Sequence, residues 1–198
     1  MFDALFTTTT EYKKLSHALS GKGACALFGL PASGRAQVYA ALCRQLDKPL
    51  CIVTPGEAEA TRFAADLNTL GIPAAVFPAR DYVLRPIEGT AREYEYRRLA
   101  VLGELVGGRL RAVAVPAEAL TQFTTPKEDF CANTRTLHAG DTLLRDDLLA
   151  ALFGAGYTRR AQVDGPGQFS VRGDIVDIFA PDQKMPVRME FWGDEIDT

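Results

Sequence analysis

Residues 28–36 read FGLPASGRA: Gly29, four residues, Gly34, then Arg35 and Ala36. This is the frame of a phosphate-binding loop, G-x-x-x-x-G-K-[ST]. In such a loop, backbone N–H groups at a helix start cradle the phosphates, a lysine reaches the β- and γ-phosphates, and a hydroxyl holds Mg²⁺. Here Arg35 stands in the lysine position and Ala36 in the hydroxyl position. Alanine offers no oxygen to a metal, and a guanidinium does not replace a compact, adjustable ammonium. Losing one preorganised charge-stabilising group typically costs about 3 kcal/mol, a hundredfold in rate. The stretch is therefore read as not built to hydrolyse ATP. It is either a decayed nucleotide site or a turn that Gly29 and Gly34 merely fit.

Other chemistries find little support. Cys25, Cys43, Cys51 and Cys131 form no C-x-x-C pair and are expected to be small buried hydrophobes in a reducing compartment. His17 and His138 lie far apart with no ligand pattern around either, so no metal site and no catalytic residue is assigned. With 22 Lys plus Arg against 25 Asp plus Glu, the net charge of -3 gives no global basic field for nucleic acid. The nearest local candidate, "REYEYRRLAVL", is diluted by Glu93 and Glu95. No apolar run reaches the roughly 18 residues of a membrane span. The N-terminus carries Asp3 and no basic start before an apolar stretch, so a cytoplasmic protein without a membrane partner is expected.

The elements around the glycine loop alternate short apolar runs with helical stretches. "ACALFGL", "PLCIVT", "AAVF" and "RAVAV" read as four buried strands. Helices are expected from Gly34, over 57–70, from Ala91, and over 116–120. Apolar strands without alternation imply burial on both faces, hence a doubly wound parallel-sheet α/β domain carrying the degenerate P-loop, over 1–120. The character changes near Thr121, where a polar segment carries Pro126. A helix is expected over 143–155, capped by Asp141 or Thr142 and closed near Gly154 and Gly156. "YTRRAQV", "QFSVRG", "DIVDIFA" and "VRMEFWG" then read as strands, and alternation in "VRMEF" argues for an antiparallel sheet with one wet face. Residues 121–198 are thus expected to form a smaller α+β domain.

Two stretches of this second part carry a resemblance. "VDGPGQFSVRGDIVDIFAP" (163–181) and "VRMEFWGDEID" (187–197), with "AGYTR" upstream, resemble the second-domain strands shared by the excision-repair protein UvrB and the bacterial transcription-repair coupling factors. UvrB has an intact G-x-x-x-x-G-K-T loop and an aromatic-rich DNA-gripping hairpin after its third strand. Here Arg35 and Ala36 break the loop, and the passage from Phe77 to the next helix is too short for such a hairpin. Both departures resemble the N-terminal module of the coupling factors.

The resemblance implies a non-catalytic fragment, its second domain truncated at the C-terminus, that recruits the damage-recognition protein UvrA. RNA polymerase and DNA would be met by other parts of the full-length protein. ATP and Mg²⁺ would be needed only at a C-terminal motor that these 198 residues do not contain. By the same resemblance, Arg159, Arg172, Arg188 and Glu190 align with UvrB's polar docking surface for UvrA, while a further basic position of that surface is Ser170 here. Trp192 is an equally good candidate for an exposed hot spot or for the core. The alternative is a UvrB-like ATP-dependent damaged-DNA-binding subunit.

Overall fold

The structure is a computed structural model that describes residues 7–21, 24–46, 48–80 and 92–198. The chain divides into two compact units, Met1–Val83 with Glu104–Gln122, and Leu84–Gly103 with Phe123–Thr198.

The first unit is built on a three-stranded parallel sheet of β1 (Leu50–Thr54), β2 (Ala74–Val76) and β3 (Ala112–Pro116), in the order β1-β3-β2. Central β3 is buried along its whole length, as its uninterrupted apolar run requires. Around it lie α1 (Thr10–Ser20), α2 (Ala32–Gln45), α3 (Glu57–Thr69) and the short α5 (Ala117–Leu120); α4 (Glu93–Val106) precedes β3. The α1 helix was not anticipated. Thr9 caps it by accepting from the Tyr12 N–H at 3.3 Å, and Tyr12 and Leu15 pack on Val38, Ala41 and Leu42 of α2. Leu67, Ile52, Ala40, Cys43 and Ala112 close the core between α2, α3 and the sheet.

Two expectations fail here. Residues 24–28 are not a strand: they are exposed, with Phe28 88% accessible, and no described strand takes up their backbone groups. Among the described residues the parallel sheet therefore has three strands, and β1 leaves Cys51 and Val53 exposed. Of the four cysteines only Cys43 is buried, where its thiol donates to the Arg111 carbonyl at 3.4 Å and burial pushes its pKa up. The stretch read as too short for a gripping hairpin falls largely on residues 81–91, outside the described residues.

The second unit holds a five-stranded sheet in sequential order: β4 (Thr158–Arg159), β5 (Gln168–Arg172), β6 (Ile175–Phe179), β7 (Val187–Trp192) and β8 (Glu195–Ile196). The β5–β8 run is antiparallel as alternation implied, but β4 pairs parallel to β5, so the sheet is mixed. Helix α6 (Lys127–Ala132) interrupts the polar crossing, and α7 (Arg145–Gly154) covers the inner sheet face. Leu148 and Leu152 of α7 pack on Phe169, Val176, Met189, Phe191 and Ile196, one residue in two along the strands.

Neither expected cap closes α7; its N-cap is Leu144, without a side-chain bond. The Asp141 side chain instead accepts from the His138 N–H at 2.8 Å while its carbonyl accepts from the Ile196 N–H at 3.0 Å, and Thr142 bridges to Glu195, so both residues serve the β8 edge. Gly156 takes φ +83 just past the helix, the left-handed conformation that ends it.

Candidate docking face and the glycine loop

The strand register assigns each polar side chain of the second unit to a row. Ser170, Asp177 and Arg188 are cross-strand partners on β5, β6 and β7, and Arg172, Ile175 and Glu190 form the next row. Since Phe169, Val176, Met189 and Phe191 point inward, these two rows share the outer face. Trp192 follows Glu190 at the same spacing on that face and is 83% exposed, while Phe191 is core. Arg159 is exposed on the two-residue edge strand β4.

Within the first row the side chains bond to one another. Arg188 donates from Nε to Asp177 Oδ1 at 2.7 Å and from Nη2 to Oδ2 at 3.0 Å, a bidentate fork. The Ser170 hydroxyl donates to the same Oδ2 at 3.3 Å. Asp177 is 14% exposed and Arg188 56%, so the carboxylate lies below and the guanidinium above. Arg172 makes a single bond, from Nη2 to the Ala161 carbonyl at 3.2 Å. The 161–163 segment thereby overhangs the face and, with Arg172, Asp177 and Arg188, encloses a cleft of about 500 Å³.

The glycine loop is differently arranged from its expectation. Gly29 takes φ +80, a turn conformation. Helix α2 starts at Ala32 with Pro31 as N-cap, not at Gly34. Gly34 and Arg35 therefore lie in the first helical turn, where both N–H groups already donate to the Pro31 carbonyl, at 2.9 and 3.2 Å. Arg35 is exposed, and Ala36 is buried with the apolar face of α2. Among the described residues, no group of His, Cys, Asp and Glu is placed to hold a metal ion.

Residues 136–198, which contain both rows and β4 to β8, match the family model of the UvrB interaction domain. The second unit therefore contains a stretch similar to the UvrB interaction domain family. Over most of its length the chain is also similar to transcription-repair-coupling factors. It is 39% identical to that of Mycobacterium bovis over 174 residues, covering 84% of this chain and 14% of the relative. With that of Bacillus subtilis the identity is 29% over 174 residues, 87% of this chain and 15% of the relative. UvrABC system protein B of Chlorobium limicola is 27% identical over 187 residues, 87% of this chain and 27% of that protein. The chain thus spans a small part of the length of the curated relatives it matches.

Within the stretch that matches this family model, the register brings Arg172, Arg188, Glu190 and Trp192 onto one face and leaves Arg159 on the edge strand. Asp177 went unassigned in the sequence. Its signal was the spacing of "DIVDIF", since a residue two after Ile175 on β6 must share the outer face with a cross-strand arginine.

The Arg188 fork, more than its charge at a distance, holds the Asp177 carboxyl below its ordinary range, although partial burial opposes this. A carboxyl so depressed contributes stability that is complete above its unfolded value, near pH 4, and is lost as pH falls through the lower folded value. Between about pH 5 and about pH 3 the thermal midpoint of the unmodified chain should fall more steeply than that of Asp177→Asn. Parallel melting curves over that range would expose a silent pair.

Proposed function

We propose that the chain is a non-catalytic docking module of a transcription-repair coupling factor, whose UvrB interaction domain recruits UvrA to lesion-stalled RNA polymerase. The observation that carries this reading is the chemistry of the outer sheet face. It combines Arg172 and Arg188 with Asp177 and Glu190, beside a Trp192 that is 83% exposed. Cations and anions are balanced, so the face does not attract a polyanion as a basic stripe does. An exposed tryptophan ringed by fixed charges is instead the composition of a protein-binding hot spot. The similarity to coupling factors over most of the chain and the match to the UvrB interaction domain support UvrA as the partner.

The test is recovery of purified UvrA on the immobilised chain. Retention is expected from the unmodified chain and loss from Trp192→Ala. Absence of retention by the folded, unmodified chain would defeat the proposal.

Arg35 and Ala36 support the non-catalytic part of the reading, as do the Gly34 and Arg35 N–H groups already bonded within α2. No cofactor is proposed for this chain; ATP, Mg²⁺, DNA and RNA polymerase would belong to other parts of such a protein. Calorimetric titration with Mg-ATP should accordingly give no saturable heat. Micromolar binding, or damage-specific retention of DNA in gel shifts at about 150 mM salt, would favour a UvrB-like subunit instead.

A further inference from the structure

We infer that Asp177 is a positioning residue of the docking face, fixing Arg188 so that its Nη1/Nη2 edge receives one carboxylate side chain of the partner. This inference rests on the docking reading above and concerns how the same face recognises its partner.

A guanidinium has two edges able to bind a carboxylate through paired N–H groups, one spanning Nε and Nη2 and the other spanning Nη1 and Nη2. In Arg188 the first edge is filled by Asp177 at 2.7 and 3.0 Å. Both Nη1 hydrogens and the second Nη2 hydrogen remain, on a side chain that is 56% exposed. Asp177 cannot swing away, because Ser170, 1% exposed, donates to its Oδ2 from the neighbouring strand. The Ser170–Asp177–Arg188 row thus runs from a buried hydroxyl through a mostly covered carboxylate to an exposed guanidinium.

The cleft of about 500 Å³ opens at that guanidinium, and Arg172 stands on its other wall with one N–H committed to Ala161. A carboxylate entering there meets two guanidiniums whose combined charge is already offset once by Asp177. With Glu190 counted the face is already neutral, so a single carboxylate is held by the paired N–H groups, whereas a phosphodiester chain finds no excess positive charge to draw it. Glu190, two residues along β7 from Arg188, adds a repulsive limit beside the cleft. A long arginine side chain without Asp177 would sample many rotamers, and ordering it on binding would lower affinity.

The experiment is a double-mutant cycle on the whole chain, with Kd for purified UvrA measured for Asp177→Asn, Arg188→Gln and the pair. Asp177→Asn should weaken binding about tenfold while the chain still unfolds cooperatively. In the Arg188→Gln background the same change should alter Kd less than about twofold, because Asp177 acts only through Arg188. A purely structural role would not produce that loss of effect. Wild-type affinity in folded Asp177→Asn, or effects that multiply in the double variant, would overturn the inference.

Should Asp177→Asn fail to fold, the exchanged pair Asp177→Arg with Arg188→Asp restores the internal attraction but moves the guanidinium to the covered strand. It is expected to fold without binding, and wild-type affinity there would also overturn the inference. Trp192→Ala separates the two readings. If it loses UvrA while Asp177→Asn does not, docking stands and the role of Asp177 falls; if every variant binds normally, UvrA is recruited through another surface and the inference falls with this face.

Discussion

Reversing the charge of Arg172 should abolish recovery of UvrA and leave the second unit folded. Arg172 ends β5 on the outer face, and its side chain makes one bond, to the Ala161 carbonyl. Little internal structure therefore depends on it, and surface substitutions of this kind usually change stability by no more than about 0.5 kcal/mol. At a desolvated interface the balance is different. Removing one partner of a hydrogen-bonded charge pair costs about 2–5 kcal/mol, which weakens binding from some thirtyfold to several thousandfold, and reversal adds repulsion. Arg188→Glu would be a poorer probe, since it places a carboxylate against Asp177 and mixes folding with binding. Arg109→Glu, in the first unit, should leave binding intact. Undiminished binding by a folded Arg172→Glu chain would remove Arg172 from the docking face.

The largest effect on stability is expected from Gly167→Ala. Gly167 has φ +74, and its N–H and carbonyl tie β6 and β4 together, through Phe179 at 2.7 Å and Thr158 at 2.9 Å. A left-handed backbone costs an L-residue about 1–2 kcal/mol. In addition, an alanine Cβ would run into the phenol of Tyr96 on α4. Forcing atoms into packed space typically costs a further 1–3 kcal/mol or so. Together these predict a loss of about 2–5 kcal/mol, read as a lowered denaturant midpoint. Combining Gly167→Ala with Tyr96→Ala should remove the collision relative to Tyr96→Ala alone, leaving only the backbone cost. A loss for Gly167→Ala no larger than the backbone cost of about 1–2 kcal/mol would mean that Tyr96 does not pack there.

The sequence was most legible where one physical signal dominated. The unbroken apolar run of β3 read correctly as a strand buried on both faces, and the alternation of β7 separated Met189 and Phe191 from Arg188 and Glu190. It was least legible where pairing at a distance decides the outcome. "ACALF" has the composition of a strand, yet a run of apolar residues carries no information about whether a neighbour will accept its hydrogen bonds. Asp141 and Thr142 had the chemistry of caps, but the β8 strand drew them away from α7. The partnership of Asp177 with Arg188 needed the β6–β7 register, which depends on the whole loop between them. Trp192 was undecidable from adjacency to Phe191 until the inner face was known.

The order β1-β3-β2 sets a schedule for making this protein on the ribosome. Strands β1 and β2 never hydrogen-bond to each other; each waits for β3, which ends at Pro116, 40 residues after β2 ends at Val76. At about 5–20 residues per second, that interval lasts about 2–8 s. During it the emerging chain holds two apolar strands with nothing to join, and helices α2 and α3 have no finished sheet to cover. The glue of the first unit is thus its last strand to be synthesised, so a nascent chain stalled before Ala112 lacks the one strand to which both β1 and β2 bond.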